Sequence, residues 1–368
     1  MRNLIVIIFS LIIIIILLFV VLNGSFLKRK YNSVWNENYI NKLGEDRLKI
    51  IGESIRTTSS HNSQPWLVKL TDNNSVELYA DMSKSLDIVD NDKKQLLISE
   101  GAFIESFRQS ANKYGYDTEV KINNPNLSDS MPLISKMVLF KNNKEKNIDS
   151  ISSSSYFLKE KKDENINLIL DNIFEKYPNF SYEIIEENNE VDKLENILLK
   201  ATIIESQDEE AVKELLNVFR FTEWQKNKYR YGLSLASMPE ILKLFIQPIL
   251  NFTSNNWQGF GESSIKQFEQ RLENQNKYIL IKCDNPNNLD YINCGQIYQN
   301  LLFEISSYSL RPAMQVLENF EAMKPLNLQF AKEYNTTVFT MMIIGLDESN
   351  TNKKGSNPRH LVDDIIIK

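Results

Sequence analysis

The chain has 368 residues, with 42 Lys+Arg against 48 Asp+Glu, two Cys, two His and a formal net charge of −6. A mildly acidic chain with no local basic patch lacks the field that phosphate-backbone binding needs, so no nucleic-acid partner is expected. Two cysteines without ligand spacing and two histidines leave no disulfide scaffold, no cysteine zinc site and no three-histidine metal centre, so enzymatic chemistry here calls for a borrowed cofactor.

Residues 4–22 read LIVIIFSLIIIIILLFVVL, with Ser10 the single polar side chain. At helical rise this crosses a hydrocarbon core of roughly 30 Å. A cleavable signal peptide begins similarly, but its apolar region is about 7–15 residues and ends in a small-x-small site. This run is longer, and its exit through Val21, Leu22 and Asn23 carries no such site. A single-pass membrane anchor is therefore expected over residues 1–30. Lys28, Arg29 and Lys30 outweigh Arg2 and the amino terminus by about one charge, which favours a cytoplasmic globular part.

Beyond a polar connector, Leu43, Leu48, Ile51 and Ile55 set a helical period over 41–57. Strands are expected at 67–70 and 76–80 around a turn, then a long helix over 93–114 and short strands at 117–122 and 136–140. The order then begins again. A helix is expected at 165–177, a strand at 181–187, and helices at 192–205 and 209–221. An aromatic- and amide-rich stretch fills 224–260, followed by a helix at 264–273, a β-rich run at 278–283, a long helix at 289–309 and a strand at 336–344. Cys283 and Cys294 fall within these elements as small buried hydrophobes.

Between the first helix and the first strand lies Arg56-Thr57-Thr58-Ser59-Ser60-His61-Asn62-Ser63-Gln64-Pro65-Trp66. It gathers a guanidinium, hydroxyls, two amides and an imidazole, and Trp66 closes its apolar side. Asn62 and Gln64 each offer donor and acceptor, as recognition of a planar polar ligand requires. The same residue types also build ordinary turns, Trp66 suits a core, and Arg56 suits a helix C-terminus. By itself the loop leaves both readings open.

This segment resembles the flavin-contacting stretch of the nitroreductase superfamily, in particular its tandem branch, in which one chain carries two nitroreductase-like halves. The usual wording has Ala-Pro in place of Thr57-Thr58, then Ser, Asn, Gln, Pro and Trp at these spacings. Leu78-Tyr79-Ala80-Asp81, Ser83-Lys84-Ser85-Leu86, Asp90 and Leu97-Ile98-Ser99-Glu100-Gly101-Ala102 follow in the same order. Gly295-Gln296, Gly345 and the tail Arg359-His360-Leu361-Val362-Asp363-Asp364 complete the resemblance.

The resemblance implies an α+β, nitroreductase-like fold: a central, mostly antiparallel sheet wrapped by helices, in two pseudo-repeated halves at 31–145 and 146–368. FMN would lie at their seam, with a possible lid at about 224–260. The pseudo-dimer within one chain implies a monomer. Arg56, Ser59, Ser60, Asn62 and Gln64 would contact the flavin from the first half, joined by His61, and Arg359 would approach its phosphate from the second. The implied activity is an NAD(P)H-dependent oxidoreductase passing electrons from FMN to a small-molecule acceptor, nitroaromatic or quinone-like. The flavin performs the redox step, so no catalytic side chain and no metal are implied.

One departure stands out. Where the branch carries an arginine-rich, phosphate-gripping string, this chain reads Ser150-Ile151-Ser152-Ser153-Ser154-Ser155-Tyr156-Phe157. Two alternatives therefore stay beside the enzyme: a non-turnover protein that holds FMN beneath a lid, and a flavin-free scaffold.

Overall fold

An unbroken aliphatic run produces the first element, α1 (Arg2–Asn23), a helix whose apolar side chains are exposed along its length. The computed structural model describes residues 2–35, 45–142, 165–235, 240–252, 257–305, 307–335, 338–347 and 357–367. The helix is long and apolar enough to cross a membrane. It stops at Gly24, whose φ of +73° lets the amides of Gly24 and Ser25 both reach back to the Val20 carbonyl, at 3.0 and 3.2 Å.

The remainder is α+β, built on two four-stranded antiparallel sheets. The first contains β1 (Trp66–Leu70), β2 (Ser75–Ala80), β3 (Tyr116–Ile122) and β4 (Leu133–Lys141), in the order β1-β2-β4-β3. The second contains β5 (Phe180–Ile185), β6 (Gln275–Cys283), β7 (Ser309–Pro312) and β8 (Phe339–Asp347), in the order β5-β6-β8-β7. The order is the same. In the first unit α2 (Asp46–Ser54) precedes the sheet and α3 (Lys94–Lys113) joins its second and third strands; α4 (Ile166–Phe174) and α10 (Asn288–Glu304) do the same in the second.

A single central sheet was expected, and the structure has two. The physical reason is that α3 and α10 pack against each other and bring a helical layer between the units. Each is notched by glycine at the crossing. A methyl group on Gly101 would stand 1.8 Å from the Ile292 carbonyl oxygen, and one on Gly295 1.9 Å from that of Ile98. Only glycine permits this approach. The last described residues join the first sheet: past α12 (Val362–Ile365), Ile366 bridges Val68 in parallel on the β1 edge, and the Ile367 amide donates to the Val68 carbonyl at 2.8 Å.

The units differ at one connection. A tight turn joins β1 to β2, whereas β5 and β6 are separated by α5 (Asn188–Gln207), α6 (Glu209–Val218), α7 (Glu223–Tyr229), α8 (Glu240–Phe252) and α9 (Trp257–Leu272). Expected and observed elements coincide along α3, α4, α5 and β8 within a few residues. The long helix expected over 289–309 instead ends at Glu304 and gives way to β7. α11 (Lys324–Tyr334) was not anticipated. Residues 41–44 of the first expected helix lie outside the described residues, as does the serine string at 150–157. Cys283 and Cys294 are free and buried in the second core, and burial raises both thiols.

Candidate functional site: a cavity at the seam of the two units

The loop after α2 is held in an unusual backbone conformation. His61, Asn62 and Gln64 have φ of 50°, 53° and 52°, in the left-handed region that non-glycine residues rarely occupy. Such positions cost on the order of 1–3 kcal/mol each and persist only where the surroundings impose them. Here the constraints are visible. The Ser60 amide donates to Ser99 Oγ at 3.0 Å and its hydroxyl to Gln95 Oε1 at 2.7 Å, both on α3. Ser59 Oγ accepts the Gln64 amide at 3.0 Å, and Thr57 Oγ1 donates to Gln299 Oε1 on α10 at 2.8 Å.

The two amide side chains reach into the second unit. Asn62 Nδ2 donates to the carbonyls of Gly232 and Pro358, both at 2.9 Å, while its Oδ1 accepts from Arg359. Gln64 Nε2 donates to the carbonyls of Arg230 and Pro358, both at 3.1 Å, and its Oε1 accepts the His360 amide at 2.9 Å. The Gly232 amide donates to the Asn62 carbonyl at 2.8 Å. Arg359 Nη2 donates to the Arg56 carbonyl at 3.2 Å. Arg56, Asn62, Gln64 and Arg359 thus form an interlock that ties 230–232 and 358–360 to the loop. His360 stacks on Tyr231 with ring centroids 5.5 Å apart.

Ser59, Ser60 and His61 face elsewhere, into a cavity of about 310 Å³. Its first-unit wall is residues 58–61 with Gln95, Ile98, Ser99 and Ala102 of α3; its second-unit wall includes Tyr298, Met314, Gln315, Glu318 and Met342. The seven expected site residues therefore divide: three line the cavity, and four fasten the segments beside it. Gln95, Gln315 and Glu318 escape a reading by motif. The available signal for the last two was polar residues interrupting the apolar run around Met314, Val316 and Leu317.

Electrostatically the cavity is close to neutral. Burial lowers the His61 imidazole from its ordinary 6.5 to about 4, leaving it uncharged at pH 7. Burial, reinforced by the neighbouring Glu205 carboxylate, raises the Glu318 carboxyl well above the ordinary range, so it keeps its proton. Among the described residues no Lys or Arg lines the cavity. Lys94 lines an adjoining cavity of about 260 Å³, which shares Gln95, Met314 and Glu318.

Two buried atoms at this wall, Gln315 Oε1 and Glu318 Oε2, have no hydrogen-bond partner among the described residues. Buried polar atoms are normally satisfied, so such a pair beside a cavity suits a ligand edge carrying both donors and acceptors. An isoalloxazine has that edge, and Ile98, Ala102, Tyr298, Met314 and Met342 supply apolar surface for its faces. The volume is at the lower end for ligand pockets, which run roughly 300–1,000 Å³. The lining therefore fits the ring of a flavin. It does not supply a cation for the phosphate. No protein-family model matches the sequence, and no curated protein matches it.

Proposed function

We propose that this chain is a membrane-anchored, FMN-dependent oxidoreductase of nitroreductase type, using NADH or NADPH to reduce a nitroaromatic or quinone-like acceptor. The observation that supports it is the seam cavity itself, walled by both units and rimmed by two unpartnered polar atoms of Gln315 and Glu318. When bound, the flavin ring supplies the redox chemistry, accepting a hydride equivalent and releasing electrons. Ser59, Ser60 and Gln95 offer hydroxyl and amide contacts to the ring edge from the first unit. Glu318 holds a proton and donates a hydrogen bond from the opposite wall. The apolar floor of Ile98, Ala102 and Met342 excludes water. An anchored domain meets a lipid-soluble acceptor where it is concentrated.

The interlock favours a second reading, a protein that holds FMN without turnover, because the segment 230–232 is hydrogen-bonded to the loop beside the cavity. The full chain, purified in detergent and reconstituted with FMN, separates these. A yellow protein whose absorbance bleaches anaerobically with NADH or NADPH is the expected result. Retained but unbleached flavin selects the holding protein. A colourless protein that takes up no FMN rejects both and leaves the scaffold.

A further inference from the structure

The helix α8 (EILKLFIQPILNF) is built the wrong way round for water. Its outward residues are apolar: Ile241 is 71 % exposed, Leu242 47 % and Ile249 49 %. At about 100° per residue these three fall with Phe245 within one stripe roughly 100° wide. The opposite face carries Lys243 and Gln247, which are 9 % and 0 % exposed and turned into the protein. Single exposed apolar residues are ordinary on a surface; a continuous stripe above a buried lysine and glutamine is not.

The stripe joins an existing apolar surface. Phe245 packs on Phe19 of α1 with ring centroids 5.3 Å apart. Trp224 of α7 donates its indole N–H to the Val21 carbonyl at 2.9 Å, and its ring stands edge-on to Phe26 at 5.6 Å. Below these contacts, Asn227 Nδ2 donates to the Lys28 carbonyl at 3.0 Å, and Tyr31 Oη donates to Glu223 Oε2 at 2.8 Å. Exposed aromatics followed by Lys28, Arg29 and Lys30 are what a chain presents at the headgroup level of a bilayer. Phe19 lies four residues inside the end of α1, about 6 Å deeper along the axis. Interfacial helices bury their apolar face to about 5–10 Å.

We propose that α8 is a second membrane-contacting element, lying in the bilayer interface beside α1 with Ile241, Leu242, Phe245 and Ile249 among the acyl chains. The partner is a lipid surface, and the inference rests on α1 being inserted in it. The helical insertion between β5 and β6 is then docked to the membrane directly, through α7 and α8, on the side that also supplies Arg230 and Gly232 to the loop beside the cavity.

The test uses the full chain in vesicles of phosphatidylcholine and phosphatidylglycerol. Cys283 and Cys294 are buried and stay in place. An environment-sensitive fluorophore is attached in turn at Ile241→Cys, Ile249→Cys, Ile12→Cys on α1 and the exposed Leu328→Cys on α11. Lipid-borne doxyl quenchers are compared with aqueous iodide. Both α8 labels are expected to be blue-shifted, quenched by doxyl lipid and protected from iodide, as at position 12, while position 328 shows the reverse. Iodide-accessible α8 labels beside a lipid-quenched position 12 overturn the inference and leave the anchor intact. Labels shielded from both quenchers overturn it in favour of a second protein copy. If position 12 also fails to meet lipid quencher, the anchor and the inference fall together.

Discussion

His61 sits in a left-handed conformation with Ser60 Oγ 2.9 Å from its Nδ1, and burial holds its ring neutral down to about pH 4. An unfolded histidine protonates near 6.5, so between these values the unfolded chain binds more protons than the native one. His61 therefore contributes stability that is full above pH 6.5 and is lost as the pH falls toward 4. Glu205, raised by burial from 4.5 to about 7, runs the other way. In that window the native state binds the extra proton, so its contribution falls as the pH rises from 4.5 to 7. Urea unfolding of the full chain in detergent across pH 4–8 reads both slopes. His61→Gln is expected to reduce the acid-side decline, which the similarly lowered His360 shares, and Glu205→Gln to reduce the opposing one, which the raised Asp90 and Glu318 share; an unaltered profile in both would remove the burial argument. Asn62 and Gln64 carry a different lesson at the same scale. Their amide chemistry was legible in the sequence as ligand-binding capacity, but the structure spends it on backbone carbonyls of 230–232 and 358. Composition reveals how many hydrogen bonds a side chain can make, not which partner folding brings to it.

The crossing of α3 and α10 is the element on which the cavity depends, because Gln95, Ile98, Ser99 and Ala102 come from one helix and Tyr298 from the other. Gly101→Ala places a methyl group against the Ile292 carbonyl oxygen and forces the helices apart. A loss of about 1–3 kcal/mol or more is expected, as for overpacking elsewhere. Chemical unfolding measures it, and a wild-type midpoint would show that the crossing tolerates separation. Asp90 holds the start of α3 by accepting the amides of Gln95 and Leu96, both at 2.9 Å. α3 was readable in advance because its apolar residues Leu96, Leu97, Phe103, Ile104, Phe107 and Ala111 recur at helical spacing, although the helix is buried on every side from Gln95 to Phe107. β7 was not, since four residues ending in Pro312 carry too little alternation to distinguish them from the tail of α10. α8 was overlooked for a physical reason: its apolar face looks outward, so its pattern does not mark a core. The cavity's near wall was legible because residues 58–61 are contiguous, while Gln315 and Glu318 are joined to it only by tertiary folding.

Over the whole molecule, the repeated strand order makes the chain an unequal pair. The segment between α2 and β1 is a long polar loop; its counterpart between α4 and β5 is only Glu175-Lys176-Tyr177-Pro178-Asn179. The insertion carrying α5 through α9 likewise occurs once, in the second unit, and its residues 230–232 close on the loop of the first. A symmetric dimer of like units would present each seam twice. Among the described residues the left-handed loop and the insertion that closes on it each occur once although the framework is repeated, and the consequence is one of stoichiometry. Titration with FMN is expected to saturate at one equivalent per chain, with a single dissociation constant and no cooperativity; two equivalents would mean that the short 175–179 turn hosts a site after all. Under the proposed function one chain supplies both walls of its ligand site, and the pseudo-equivalent face of the second unit serves as scaffold.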